Sequence, residues 1–145
     1  MPNSRSRDPA VTSRIMSSVK NKDSRAEMAL RRELHRRGMR YRLHAKDILG
    51  KPDLVIRSKR LAVFVDGDFW HGNAHRLRGL ERMEDLFPTN RDWWMEKLGR
   101  TMHRDQEITA ALKADGWTVV REWESDILIS PAQAADRVQS KMGSR

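Results

Sequence analysis

Two short apolar runs, Leu54-Val55-Ile56 and Leu61-Ala62-Val63-Phe64-Val65, constrain this chain more than any other feature. A strand with one solvated face alternates apolar and polar residues; these runs do not, so both of their faces need cover. Ser58-Lys59 between them fits a tight connection, so residues 53–57 and 60–65 are expected to form an antiparallel pair. Cover must come from helices, and the helical periods lie on either side. One helix is expected from the Asp8-Pro9 start to about Lys20, and a second from a cap at Asp23 or Ser24 to a left-handed stop near Gly38. Residues 39–44 fit a further strand and residues 91–114 a long helix. Residues 117–123 fit another strand and 131–141 a closing helix. This order predicts an α/β sandwich around a mixed sheet. Residues 66–90 carry no clean period and are expected to be a long connection, of the kind that is usually functional or disordered in a small domain.

The chain has 145 residues, which sets the expectation of a single domain over residues 9–145 behind a flexible basic arm, residues 1–8, that carries Arg5 and Arg7. There is no cysteine, which excludes disulfides, thiolate metal sites and a cysteine nucleophile. No apolar run approaches the length of a membrane span and no signal-peptide core is present, so a soluble intracellular protein is expected. The formal net charge of +9 favours a polyanionic partner such as nucleic acid.

Three acids stand where the pattern calls for apolar residues. On the second helix Ala26, Leu30 and Leu34 form the inward stripe and Glu27 lies at its edge. On the long helix Trp94, Leu98, Met102, Ile108 and Leu112 form the stripe, and Asp105 falls in its middle. Asp53 opens an apolar strand directly after Pro52. A buried carboxylate is costly unless it is paired, hydrogen-bonded or bound to a metal. Each acid has an ordinary reading: a first-turn helix acid for Glu27, an arginine partner for Asp105, a turn cap for Asp53. If the three converged, a divalent cation would be needed, and an all-oxygen shell suits Mg²⁺.

A second signal is Asp66-Gly67-Asp68-Phe69-Trp70-His71, directly after an apolar strand. Five of the nine aromatic residues lie between positions 69 and 94, Trp93 and Trp94 among them. Phe69 and Trp70 are either a loop folded back on the core or an aromatic wedge for a base stack beside a titratable histidine. Trp94 is ambiguous, because it also belongs to its helix stripe. His35 and His103 point away from their stripes and are expected to face solvent. His44 ends a strand and is either structural or a phosphate contact. His71 and His75 have i, i+4 spacing, but Gly72-Asn73 between them argues against one helix and so against a shared metal.

Lys51-Pro52-Asp53-Leu54-Val55, then Phe64-Val65-Asp66-Gly67-Asp68-Phe69-Trp70-His71, then Trp94-Met95-Glu96-Lys97-Leu98 with Arg104-Asp105, then Gly116-Trp117, Val119 and Trp123-Glu124, together resemble the very short patch repair (Vsr) mismatch endonucleases. The likeness extends over about residues 8–130. It implies a restriction-endonuclease-like α/β fold, a three-layer sandwich with a central mixed β-sheet flanked by helices. It also implies Mg²⁺-dependent nicking of double-stranded DNA beside a T·G mismatch. Position by position, the resemblance makes Asp53 and the Val65 carbonyl metal ligands, His71 the base that activates water, Asp105 its partner and Glu27 an auxiliary acid. Phe69, Trp70 and Trp94 match the intercalating aromatics. Asp66 and Asp68 replace the family's usual His and Cys, and Asn73, His75 and Ser125 stand where its zinc ligands are expected, so structural zinc is not expected. A bacterial cytoplasmic, nucleoid-associated monomer working with mismatch-repair proteins follows from the same likeness. The alternatives are a restriction-like or homing nuclease without mismatch preference, and a DNA-binding module that does not cut.

Overall fold

In the computed structural model, residues 23–142 are described; the expected basic arm and the helix ending near Lys20 lie outside them. The described residues divide into two compact units, one of residues 23–66 with 106–142 and the other of residues 67–105.

The first unit holds the sheet. Helix α1 (Arg25–Arg36) begins at Ser24, whose side chain accepts from the Glu27 N–H, and ends before Gly38, which takes φ +79°. Strand β1 (Arg42–Leu43) pairs antiparallel with β2 (Leu54–Ile56), β2 pairs antiparallel with β3 (Leu61–Asp66), and β3 runs parallel to β4 (Thr118–Trp123). The order β1-β2-β3-β4 is the expected mixed sheet. Helix α4 (Glu124–Ile129) and helix α5 (Pro131–Met142) complete this unit, with the last residues of the long helix α3 (Arg91–Ala114).

Alternation along the doubly buried strands sorts side chains into two cores. Leu54, Ile56, Leu61 and Val63 pack with Leu30 and Leu34 of α1, Ile127 of α4 and Ala134, Ala135 and Val138 of α5. Val55, Ala62 and Phe64 point to the other face and pack with Ala45, Ile48, Ile108 and Leu112. Helix, sheet and helix therefore form three layers, as expected of a restriction-endonuclease-like α/β fold.

Four local expectations are corrected. The strand expected over residues 39–44 shrinks to Arg42–Leu43. Asp53 precedes β2 instead of opening it. The connection between β2 and β3 is a 3₁₀ turn over Arg57–Lys59 that ends at Arg60 with φ +49°, so the flanking residues leave the ladder earlier than a two-residue turn would require. Helix α4 was not expected, because its apolar residues Ile127-Leu128-Ile129 carry no helical period of their own.

The second unit contains helix α2 (Ala74–Leu77), a 3₁₀ turn over Met83–Leu86 and the first part of α3, so the long connection contains short helical pieces. None of the described helices is long and apolar enough to cross a membrane.

Gly50 shows how tightly the second core is closed. It takes φ +80°, and a Cβ there would lie 2.6 Å from Ile108 Cγ2 and 3.3 Å from the Phe64 ring. Gly50→Ala is expected to destabilise the protein by about 1–3 kcal/mol, through overpacking and backbone strain together. Urea unfolding should report this as a lower midpoint with an unchanged slope; a parent-like midpoint would show that the Ile108 side chain gives way freely.

Candidate active site

Asp53 follows Pro52, whose ring fixes its own φ, and sits where β2 begins. Its Oδ2 accepts a 2.7 Å hydrogen bond from the Val65 N–H on the neighbouring strand. Only 9% of Asp53 is exposed. The carboxylate and the main chain of Val65 are thus held side by side at one end of the β2–β3 pair. The donors offered there are a carboxylate and a backbone carbonyl, hard oxygens that suit Mg²⁺ or a similar divalent cation better than a soft metal.

Asp66, at the end of β3, is buried and accepts from Arg121 Nη1 at 3.0 Å (Oδ1) and 3.2 Å (Oδ2). Arg121 is itself fixed by a bond from Nε to Thr109 Oγ1 (2.8 Å), and its guanidinium lies 4.2 Å from the Phe64 ring centroid. Sequence reasoning missed Arg121. The signal was available in the Arg121-Glu122 pair of charges that interrupts the apolar start of β4.

Glu27 is 1% exposed, and each of its oxygens is used. Oε1 accepts from the Asp23 N–H (3.0 Å), and Oε2 meets His44 Nε2 (2.8 Å) and Arg31 Nη1 (3.3 Å). Burial alone would lower the Arg31 pKa, but its hydrogen bond to Asp23 and the charge of Glu27 outweigh that and hold it above the ordinary value. A paired guanidinium is what lets an acid sit on the apolar edge of α1.

In the second unit, His71 Nδ1 and Asp105 Oδ2 are 2.5 Å apart. Asp105, in the middle of the α3 stripe, thus has His71 as a partner. A carboxylate on Nδ1 makes that nitrogen the donor and Nε2 the basic nitrogen of the neutral ring. Gly72, next to His71, takes φ +90°, and a Cβ there would lie 2.6 Å from Met102 Sδ.

The aromatic residues of this unit form one cluster. Phe69 meets Trp70 and Trp94 edge-on at 5.2 and 5.5 Å, and Phe87 stacks flat on Trp94 at 5.2 Å. Trp93 meets Trp94 edge-on and is 56% exposed. Phe69, Trp70 and Trp94 are half-buried, while Phe87 is buried. Phe87 was not singled out from sequence, since it stands alone in a polar connection. Lys97 Nζ lies 5.9 Å from the Trp70 ring centroid.

Of the positions set against zinc ligands, Asn73 is buried and donates from Nδ2 to Asp68 Oδ1 at 2.7 Å. His75 lies on α2, and its Nδ1 is buried with no hydrogen-bond partner among the described residues. His35 and His103 are exposed, as expected.

Comparisons with known proteins point in one direction. The family model described as DNA mismatch endonuclease Vsr matches residues 5–77. The chain is 37% identical over 131 residues to the type II nicking enzyme V.NmeDIP of Neisseria meningitidis serogroup C, covering 90% of this chain and 85% of that one. It is 41% identical over 113 residues to the type II nicking enzyme V.XorIIP of Xanthomonas oryzae pv. oryzae, covering 78% and 79%. Against the DNA mismatch endonuclease Vsr of Escherichia coli it is 29% identical over 117 residues, covering 81% and 71%. With the mixed sheet, the Asp53–Val65 pair and the His71–Asp105 couple in place, the chain belongs to the Vsr family of DNA endonucleases and is a DNA-nicking phosphodiester hydrolase.

Proposed function

We propose that this enzyme nicks one strand of double-stranded DNA next to a T·G mismatch, with Mg²⁺ as cofactor, in very short patch mismatch repair. The observation that carries the reading is the His71–Asp105 couple directly after the Phe69-Trp70 pair, which puts a proton acceptor next to an aromatic surface. His71 Nε2 takes the proton of the attacking water, and Asp105 holds the Nδ1–H and balances the imidazolium that forms. The water oxygen bonds to phosphorus as the bond to the leaving oxygen breaks. Asp53 and the Val65 carbonyl would hold the cation, which when bound supplies charge neutralisation at the phosphate and at the leaving oxygen. Glu27 serves as an auxiliary acid. Phe69, Trp70 and Trp94 enter the base stack, which costs least where a mismatch has already weakened it. The basic surface supplies the sequence-independent grip on the backbone. The enzyme acts as a monomer at the nucleoid of a bacterial cytoplasm, beside mismatch-repair proteins.

Asp53→Ala is expected to abolish nicking while DNA affinity stays within a few-fold, because this carboxylate serves the transition state more than the ground state. Undiminished nicking by this variant, or by the parent in EDTA, would remove the metal mechanism.

His71→Ala is expected to lose about 10²–10⁴ in rate, the range of a general base. The rate of the parent should fall toward acid as the imidazole takes up a proton, and Asp105→Asn should change the shape of that limb. A flat profile across the range where histidines titrate would assign the base elsewhere.

Trp70→Ala is expected to weaken binding to a T·G duplex by about 1–3 kcal/mol, the worth of stacking one base on an aromatic ring. Affinity for matched duplex should change much less, since phosphate contacts dominate there. Equal losses on both duplexes, with nicking of matched DNA at the parent rate, would favour a nuclease without mismatch preference.

A further inference from the structure

His44 is the one histidine whose part in the site was left open by the sequence, and the structure surrounds it with constraint. Its backbone takes φ +47°, a left-handed conformation that histidine tolerates better than most side chains but still at a cost. Lys51, on the same connection, shares it with φ +50°, directly before Pro52, where an extended backbone is the normal preference. Such strain persists only where the surroundings over-determine it.

At His44 the surroundings are two hydrogen bonds. The backbone N–H donates to the Asp53 carbonyl at 3.0 Å, one step beyond the Leu43–Leu54 pairing of β1 and β2. The imidazole Nε2 meets Glu27 Oε2 at 2.8 Å. Glu27 does not need His44 to balance its charge, because Arg31 already does so. The left-handed turn and the Glu27 contact therefore have one shared result. They fix the main chain of Asp53 from the α1 side, while Val65 N–H fixes its carboxylate from the β3 side.

We propose that His44 is a positioning residue that couples Glu27 to Asp53 and holds Asp53 in place for a divalent cation, a role that rests on Asp53 carrying that cation. Glu27 then bears on Asp53 through His44. Residues that hold a metal ligand in this way typically change metal affinity or activity by about 10–100-fold when removed.

His44→Gly removes the imidazole while accepting the left-handed backbone without cost, so the variant should keep the parent's thermal midpoint within a few degrees. Mn²⁺ binding to the DNA-free protein, followed by electron paramagnetic resonance, should weaken by about 10–100-fold. The Mg²⁺ concentration for half-maximal nicking should rise in parallel, with DNA affinity unchanged. His44→Gln, which keeps a donor for Glu27, should recover most of the loss, and His35→Ala, at an exposed site, should behave as the parent. Parent-like Mn²⁺ affinity in His44→Gly, or a glutamine variant as impaired as the glycine one, would overturn the role of His44. Absence of Mn²⁺ binding by the parent, or binding that survives Asp53→Ala, would overturn the metal reading of Asp53 itself.

Discussion

The hydrogen bond from Val65 N–H to the Asp53 carboxylate joins the two structural problems this chain has to solve. The apolar strands β2 and β3 must be buried on both faces, and a carboxylate must survive at their edge. Burial on both faces is met by α1, α4 and α5 on one side and by the end of α3 with residues 45–48 on the other. The carboxylate survives because a backbone donor from the neighbouring strand satisfies one of its oxygens. Antiparallel pairing brings Leu54 opposite Val63, which sets the start of β2 beside the end of β3. The fold therefore places this carboxylate by the same pairing that builds its core.

Three other buried acids each have an arginine as a partner. Glu27 is paired with Arg31, Asp66 with Arg121 and Glu122 with Arg137, the last through bonds of 2.7 to 3.0 Å. Arg31 and Arg121 are largely covered, while Arg137 is more exposed and grips Glu122 through both Nε and Nη2. Part of the positive charge of this chain is structural. Other cations, such as Arg40, Arg42 and Lys46, are exposed, and exposed charge of this kind suits a polyanion.

Sequence reasoning went furthest where period and local chemistry agree. A cap at Asp23 or Ser24, the Gly38 stop and the span of the long helix were readable, because capping and helical period act within a few residues; the structure puts the cap at Ser24. The doubly buried strands were readable because nothing else explains eight apolar positions around one short polar break. The stretch from Gly67 to Asn90 was poorly readable, since its short helices answer to contacts such as Phe87 on Trp94 and Asn73 on Asp68, which have no period. Helix α4 was missed for the same reason.

By itself the sequence determined the mixed α/β class, the acids at positions 27, 53 and 105 that required partners, and the family through its ordered motifs. Tertiary structure decided who those partners are. Asp105 took His71 from 34 positions away, Glu27 took His44 as well as Arg31, and Asp66 took Arg121 from 55 positions away. The physical reason is that desolvation makes a partner obligatory wherever an acid is buried, and this cost can be read from a stripe. Which donor answers depends on strand register, on left-handed turns such as that at His44 and on side-chain packing, and these are fixed only when the whole chain closes.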